Sequence, residues 1–229
     1  MLEKLPPQND DGMFTPHVYV PWWLLREQAA GQLDFPRGYH IEVGGGFGMP
    51  EIGFAHGRDG YGSTLKSQLR EHYGAWVGFS GRGEMIPNAN SYCEIDPATV
   101  DQWGIPVLRF HFRWTEHEIK QVRHMHDTFT AIIETMGGKV NARKFPDRGA
   151  DAVSIGGEII HEAGTVRMHD DPKQGPLNRW AQAHEVKNLF VADAAPFLGN
   201  PDKNVTLSIV ALAWRTAEHL AEEMRSGNV

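Results

Sequence analysis

The feature that most constrains the fold of this 229-residue sequence is a strand-like segment followed at once by a helix-like one, between residues 105 and 138. Every second position from Leu108 to Trp114 is apolar, which is the period of a strand with one buried face. Thr115 and Glu118 then form a capping box, the usual start of a helix. Apolar residues recur at three- and four-residue spacing until Gly137-Gly138, which ends the helix. The segment therefore predicts a strand over 105–114 and a helix from 115.

Weaker signals predict the remaining elements. Short strands are expected at His17–Val20, Tyr39–Val43 and Ala75–Ser80, with a short helix at Ser67–Tyr73. The apolar run 189–192 is typical of a strand buried on both faces. A terminal helix starts near residue 204, carries one apolar stripe and ends at 226–227. The stripe consists of Leu207, Val210, Ala211, Trp214, Ala217, Ala221 and Met224. A mixed α/β and α+β fold follows, with antiparallel sheet and helices.

Composition excludes several classes of protein. The chain has 22 Lys and Arg against 29 Asp and Glu, a formal charge of -7, which argues against a nucleic-acid partner because such proteins carry concentrated positive charge. Cys93 is the single cysteine, so the chain has neither an internal disulfide nor a cysteine-based zinc site. No run of eighteen apolar residues predicts a transmembrane helix, and the start of the chain lacks the apolar region of a signal peptide. The compartment, cytoplasmic or periplasmic, stays open.

Metal and nucleophile motifs are weak. His161-Glu162 opens an H-E-x-x-H pattern, but Thr165 stands where the second histidine is needed. His169-Asp170-Asp171 has the composition of a cation site, and a polar turn explains it as well. Cys93 has no basic neighbour in sequence to stabilise a thiolate. The remaining histidines of interest, on the predicted helix, are expected on its solvated flank: His117, His124 and His126.

Three residues remain as candidates for chemistry, namely His161, Asp193 and Asn204. Taken singly, they are explained by a core histidine, a strand end and a helix N-cap. Taken in order, they resemble the C-terminal signature of the glucose–methanol–choline (GMC) oxidoreductases, a flavoprotein family. The sequence has H-E-A-G-T-V-R-M from 161, N-L-F-V-A-D-A-A-P from 188 and N-V-T-L-S from 204. The segment 92–113, with its Asp-Pro and Trp-Gly-Ile-Pro motifs, resembles the branch that contains gluconate and fructose dehydrogenases.

The resemblance implies an FAD-dependent oxidation of a CH–OH group in an alcohol or sugar. His161 would be the general base, and Asn204 would bind the same substrate oxygen. Cofactor contacts are implied for Asp193, Ala194, Val205 and Thr206. Arg167 and Met168 would pack near the flavin, although an arginine that supports its loop is an equal interpretation. Arg82 would face a polar substrate, and a solvated turn is the simpler interpretation of that residue.

The sequence also departs from the family pattern. Val205 replaces the usual proline, and no G-x-G-x-x-G unit for the ADP part of FAD is found; the Gly-rich run 43–50 continues into Pro50 and Gly53 where a helix should begin. We therefore expect a C-terminal part of the enzyme, with a partial substrate-binding domain over 1–150 and the closing segment of the FAD domain, with its Rossmann-like strand and helix, over 151–229. A non-catalytic binding or assembly subunit is the alternative. The electron acceptor stays open among oxygen, a quinone and a partner protein.

Overall fold

A computed structural model describes residues 18–45, 60–72, 77–140, 152–159 and 161–229. The predicted element ends at His17, Tyr73 and Ala75, and most of the Gly-rich run, lie outside these residues. The chain divides into two compact units, one of Met1–Gly83 with Ile119–Ala152 and one of Glu84–Glu118 with Val153–Val229. The assignment of 1–150 and 151–229 to a substrate and a cofactor domain stays a prediction.

The first unit contains a three-stranded antiparallel sheet and helices. Its elements are β1 (Val18–Val20), α1 (Leu25–Ala29), β2 (Tyr39–Gly45), α2 (Gly62–His72), β3 (Val77–Gly83) and most of α3 (Glu116–Thr135). The strand order is β1-β2-β3. Glu42 lies opposite Tyr19 on one side and opposite Ser80 on the other, while His40 lies opposite Arg82. This register places those polar residues on one face of the sheet, since opposed residues share a face.

The other face of this sheet packs on α3 and forms the core of the unit. Tyr39 and Ile41 are fully buried there, together with Phe35 and Met125. The helix approaches β3 closely because Gly81 has no side chain: a Cβ atom at that position would lie 2.5 Å from the sulfur of Met125. Binary patterning of β2, apolar at odd and polar at even positions, decides which face meets the helix.

The expected position of one histidine is corrected by this core. His124 lies on α3 but is half-buried against aromatic rings rather than on a solvated flank, and its Nδ1 lies 2.7 Å from the Tyr39 hydroxyl. His117 is exposed and His126 is half-buried. The helical period could not show that His124 is covered, because the aromatic rings that contact it come from segments distant in the sequence.

The second unit contains an antiparallel hairpin of β4 (Tyr92–Val100) and β5 (Pro106–His111). The pairing of β4 with β5 is irregular between Ile95 and Val100. Within this stretch the Asp96 carboxylate accepts hydrogen bonds from the backbone of Ala98 and Thr99 and from Arg109 of β5. These backbone donors, followed by Arg109, hold the pKa of Asp96 below its usual range despite the cost of burial. The Asp-Pro motif therefore sets the shape of the hairpin.

The predicted capping box is confirmed. Glu118 accepts a hydrogen bond from the backbone N–H of Thr115 at 2.7 Å, and the Thr115 hydroxyl contacts the same carboxylate and the N–H of His117. The other Glu118 oxygen accepts the N–H of Ile86 at 3.0 Å. Glu118 thus ties the start of α3 to the chain that precedes β4.

The terminal helix α4 (Thr206–Ser226) also forms as predicted, and Gly227 ends it in the left-handed region with φ 69°. The apolar stripe named from the sequence is largely exposed, with Leu207 and Trp214 exposed by 82% and 68%. The opposite side packs, through residues such as Thr216, which is buried. A 3.6-residue period identifies an apolar face but not the part of a protein that covers it.

The segment 189–192 is a second correction. It forms an isolated bridge between Phe190 and Gln182 rather than a strand in the part of the chain that the structure describes, and Leu189 is half exposed. A strand buried on both faces needs neighbouring strands and covering layers, and the described residues provide neither here. The fold class itself is confirmed, since the molecule combines antiparallel sheets with helices.

Candidate active site

Three backbone hydrogen bonds place the segment after His161 beside the segment after Asp193. The N–H groups of Gly164, Val166 and Met168 donate to the carbonyls of Ala194, Ala195 and Pro196 at 3.3, 3.1 and 3.0 Å. Two sequence motifs thirty residues apart are therefore adjacent in the second unit.

Gly164, the glycine of the H-x-x-G-T motif, has a structural reason to be glycine. Its φ is +84°, in the left-handed region, and an added Cβ would lie 3.2 Å from the carbonyl oxygen of Phe197. Any L-residue would be strained in this conformation and would also crowd the neighbouring chain. The motif thus encodes a tight turn that directs the chain from His161 toward 194–197.

Asp193 stabilises the turn that follows it. One carboxylate oxygen accepts the N–H of Ala195 at 2.8 Å, while the side chain is otherwise exposed to solvent. Ala194, by contrast, is buried, and its carbonyl accepts the N–H groups of both Gly164 and Phe197. Of the two predicted cofactor contacts in this segment, Asp193 and Ala194, only Asp193 therefore presents a side chain at the surface.

His161 is connected to the helix start by a residue that sequence reasoning missed. The side-chain amide of Asn200 donates to the carbonyl oxygen of His161 at 2.6 Å. Asn204 is four positions after Asn200 in the chain, so their Cα atoms lie within about 14 Å of each other. Asn200 therefore links the His161 peptide to the loop that leads into α4.

Two polar atoms in this region are available. The Oδ1 atom of Asn200 is buried and has no hydrogen-bond partner within the described residues. The imidazole of His161 is half-buried, and neither ring nitrogen forms a hydrogen bond with a described side chain or backbone group. The Asn200 oxygen and the His161 imidazole thus both lack a hydrogen-bond partner among the described residues, although the two residues are joined at the His161 carbonyl. Such groups suit a site that binds a ligand, because unpaired buried polar groups are otherwise costly.

The start of α4 carries the remaining predicted residues. Val205 is the N-cap, with helical φ and ψ, and its side chain makes no capping hydrogen bond. Asn204 and Thr206 are exposed, whereas Val205 is buried. The first-turn N–H groups of a helix have no partners within the helix and lie at the positive end of its dipole. Val205 can reach a cofactor only through its backbone.

The loop between the two motifs is anchored to α4. The ring of Trp180 stacks on His219 with 4.6 Å between centroids, and the guanidinium of Arg215 lies 5.4 Å from the centre of the Trp180 ring. Such cation–π contacts contribute about 0.5–2 kcal/mol each. Sequence reasoning missed this anchor because its members are isolated in the sequence.

The polar turn before Pro172 is confirmed as the explanation of 169–171. Asp170 pairs with Arg179, and the Asp171 N–H donates to Nδ1 of His169 at 2.9 Å. The hydrogen bond from Arg179 holds the pKa of Asp170 below its usual range. Arg167 supports the same loop, since its Nε donates to the Gln174 carbonyl at 2.9 Å. Within the described ranges, no cluster of three or more His, Cys, Asp or Glu is arranged to hold a metal ion.

A family model described as GMC oxidoreductase matches residues 87–213. This range covers more than half of the chain and includes the site. The chain belongs to the GMC oxidoreductase family. The resemblance read from the three sequence motifs is confirmed.

Curated relatives of this GMC chain include three proteins named as dehydrogenases. It is 27% identical to the gluconate 2-dehydrogenase flavoprotein of Pantoea cypripedii, over 73% of this chain and 27% of that protein. It is 26% identical to the 2-methyl-1,2-propanediol dehydrogenase of Mycolicibacterium austroafricanum, over 82% and 33%. For the fructose dehydrogenase large subunit of Gluconobacter japonicus the figures are 24%, 72% and 29%. The GMC chain thus spans about a quarter to a third of the length of these relatives.

No helix among the described residues is long and apolar enough to cross a membrane.

Proposed function

We propose that this chain carries the redox-centre residues of an FAD-dependent dehydrogenase that oxidises a CH–OH group of an alcohol or sugar. The observation that supports it best is the connection of His161 to both partner segments, through the backbone ladder to 194–196 and through Asn200 toward Asn204. Family membership and the relatives' names point to the same chemistry.

The residues present fit the redox end of a flavin. The start of α4, where the Val205 side chain makes no capping hydrogen bond, offers N–H donors and a positive dipole end to an electron-rich ring edge. Asp193 and Thr206 have exposed polar side chains. The Asp193 carboxylate can accept a hydrogen bond from a hydroxyl group of the cofactor, and the Thr206 hydroxyl can donate one to a phosphate. Ala194 and Val205 are buried and would contribute backbone contacts only. When bound, FAD supplies the acceptor for the hydride that leaves the substrate carbon.

The protein's own residues handle the hydroxyl group of the substrate. His161 takes the hydroxyl proton on a ring nitrogen, since a neutral imidazole is an effective base near neutral pH. Asn204 donates an amide hydrogen bond to the same oxygen and so orients the C–H bond. With FAD bound, the hydroxyl proton would go to His161 as the hydride left the substrate carbon, and the alcohol would become a carbonyl compound. For the final electron acceptor we propose a quinone or a partner protein.

Substitution of His161 tests the proposal. In an intact enzyme that contains this chain and retains its flavin, His161→Ala should keep the flavin absorbance and lower turnover by about 10²–10⁴-fold, the usual contribution of a general base. His117→Ala is the matched control, because this exposed histidine on α3 lies outside the site. Flavin reduction by substrate at the wild-type rate in His161→Ala would refute the assignment of the base.

The chain alone provides a second test. We expect the purified 229 residues to retain no FAD, because the sequence contains no G-x-G-x-x-G unit to hold the ADP part. Stoichiometric flavin absorbance after gel filtration would contradict this expectation. Reading the DNA upstream of the chain separates the proposal from a stand-alone assembly subunit: an in-frame dinucleotide-binding segment supports the enzyme.

A further inference from the structure

The peptide bond between Asn204 and Val205 carries a hydrogen-bond donor that the family pattern lacks. Valine stands here in place of the usual proline, and a proline has no backbone N–H, whereas valine has one. The replacement therefore adds one donor at the start of α4 without adding a polar side chain. This donor is a property of the present chain and not of the family pattern.

The N–H of Val205 is not used within the described part of the chain. It donates there to neither a backbone nor a side-chain acceptor. An unpaired N–H at the start of a helix is satisfied by a capping side chain, by water or by a ligand. The Val205 side chain makes no capping hydrogen bond, so this N–H is open to a ligand.

The orientation of this donor is fixed on both sides of the residue. The Val205 side chain is only 7% exposed, so its packing holds the residue in place. The Val205 carbonyl accepts the N–H of Ile209 at 3.0 Å, which ties the residue to the first turn of α4. A donor that is oriented before a ligand binds needs no reorganisation when charge develops on that ligand.

A second unsatisfied group lies on the loop that leads into α4. The Oδ1 atom of Asn200 is buried and has no hydrogen-bond partner within the described residues. Val205 is five positions later in the chain, so the two Cα atoms lie within about 18 Å of each other. The loop and the helix start thus combine a free acceptor with a free donor. Such a combination suits a heterocycle that has both ring carbonyl groups and a ring N–H, as the flavin of FAD has.

Reduction changes the charge on such a ring. Negative charge builds on the N1–C2=O edge of a flavin when it receives a hydride. Hydrogen bonds to a charged acceptor are stronger than those to a neutral one. A donor at this edge therefore stabilises the reduced form more than the oxidised form, and this difference raises the reduction potential.

We propose that the N–H of Val205 donates to the N1–C2=O edge of the bound flavin and raises its reduction potential above the value that proline at this position would give. The inference rests on the proposed function, because it requires FAD at the start of α4. It adds a role for one backbone atom in setting how readily the cofactor accepts electrons.

Val205→Pro tests this role in an intact enzyme that contains this chain and retains its flavin. The φ of Val205 is -88°, close to the range of proline, so the change removes the N–H with little strain. We expect the equilibrium constant for two-electron reduction to fall about tenfold, as loss of one hydrogen bond to a charged group would give. This fall corresponds to a midpoint potential lower by about 30 mV, measured by equilibration with redox dyes.

Val205→Ala is the matched control, since alanine keeps the N–H and loses most of the side-chain packing. Its equilibrium constant for reduction should stay within about twofold of the wild type. An unchanged potential in Val205→Pro would overturn the assignment. An equal fall in both variants would also overturn it, because packing and not the donor would then set the potential.

Hydrogen exchange of the wild-type enzyme tests the same bond in case Val205→Pro does not retain its flavin. The Val205 N–H, followed by mass spectrometry with residue-level fragmentation, should exchange more slowly with flavin bound and most slowly with the flavin reduced. Exchange at the same rate in the flavin-free and flavin-loaded enzyme would overturn the assignment.

The proposed function and this inference can fail separately. Normal flavin reduction by substrate in His161→Ala would refute the catalytic base and leave the difference in potential between Val205→Pro and Val205→Ala in place. A loss of turnover in His161→Ala together with an unchanged potential in Val205→Pro would reject only the role of the Val205 N–H. An intact enzyme that binds no flavin would overturn both.

Discussion

At the scale of single residues, one hydrogen-bonded pair in the first unit makes stability depend on pH at both ends of the range. The Tyr39 hydroxyl lies 2.7 Å from Nδ1 of His124 and 3.1 Å from Oγ1 of Thr128. Burial raises the pKa of Tyr39 to about 12, and burial also lowers the pKa of His124. Both shifts favour the neutral forms of the phenol and the imidazole.

The sign of each effect follows from linkage. Because the folded state disfavours charged His124, its contribution is present above the unfolded pKa of about 6.5 and is lost as the pH falls below it. Because the folded state disfavours the phenolate, the contribution of Tyr39 is present below pH ~10 and is lost between about 10 and 12. Urea denaturation from pH 4 to 11.5 should show that the free energy of unfolding falls at acid pH and again at alkaline pH. His124→Gln should reduce the fall at acid pH only. The same fall at acid pH in this variant as in the wild type would contradict the assignment.

A second residue-scale prediction concerns Asn200. Its amide holds the His161 carbonyl, and loss of this bond should let the histidine segment move without unfolding the unit. In the flavin-loaded protein, Asn200→Ala should lower kcat by about 10-fold or more, since small displacements of a base are costly. Asn200→Asp should not restore kcat, because the carboxylate cannot donate to the carbonyl. The flavin spectrum separates two causes of a lower kcat. Flavin absorbance that is present and changes when substrate is added indicates a displaced histidine, whereas missing flavin absorbance indicates loss of the cofactor.

At the scale of elements, the closeness of α3 to β3 depends on glycine. A Cβ at Gly83 would lie 1.7 Å from Oε1 of Gln121, whose amide is held by the carbonyls of Arg37 and Gly38 at 2.8 and 2.9 Å. The glutamine cannot move without losing those bonds. Gly83→Ala should therefore destabilise the protein by about 1–3 kcal/mol, the usual cost of overpacking.

The same strand contains a matched control. Gly78 lies on the opposite face, where an added Cβ would be 3.7 Å from the Gly44 carbonyl, an ordinary contact. Gly78→Ala should leave the free energy of unfolding within about 0.5 kcal/mol of the wild type. Equal losses in the two variants, measured by urea denaturation, would show that the helix does not approach β3 as closely as described.

These elements also show what the sequence could and could not predict. The capping box of Thr115 and Glu118 was predictable because both partners are local. The stripe of α4 was identified, but the sequence could not show that Leu207 and Trp214 face away from the packed side. His124 was misplaced for the same reason, since the rings that cover it are distant in sequence. Local periodicity determines that an element forms, and contacts distant in sequence determine what it packs against.

The site shows the same division. Short motifs identified His161 and the segments near it, because a turn that requires Gly164 leaves a mark in the sequence. Asn200 left no such mark: an asparagine beside a proline in a loop is common, and its role depends on a carbonyl 39 residues away. The interpretation of Arg82 as part of a solvated turn is likewise wrong, because Arg82 lies within β3 and its Nε lies 2.8 Å from Oε2 of Glu42, a contact that only the register reveals.

At the scale of the whole molecule, the most exposed apolar side chains predict how the isolated chain behaves in solution. The exposed side of α4 includes Leu207, Val210 and Trp214, at 82%, 55% and 68%, and the hairpin exposes Phe110 at 65%. Contiguous apolar surface of this kind is rare on monomeric soluble proteins and binds hydrophobic partners. We therefore expect the 229-residue chain to bind the dye ANS while it keeps native secondary structure.

Substitution on α4 separates this surface from general loosening of the fold. Leu207→Gln with Trp214→Gln should lower the dye fluorescence by about half, since the hairpin surface remains, and should barely change the unfolding midpoint because neither side chain is in the packed side of the helix. Leu212→Gln is the contrasting variant: this half-buried residue lies on the packed side, and its change should lower the midpoint and raise dye binding. Absence of dye binding by the wild-type chain at native circular dichroism would mean that the α4 stripe is covered in solution.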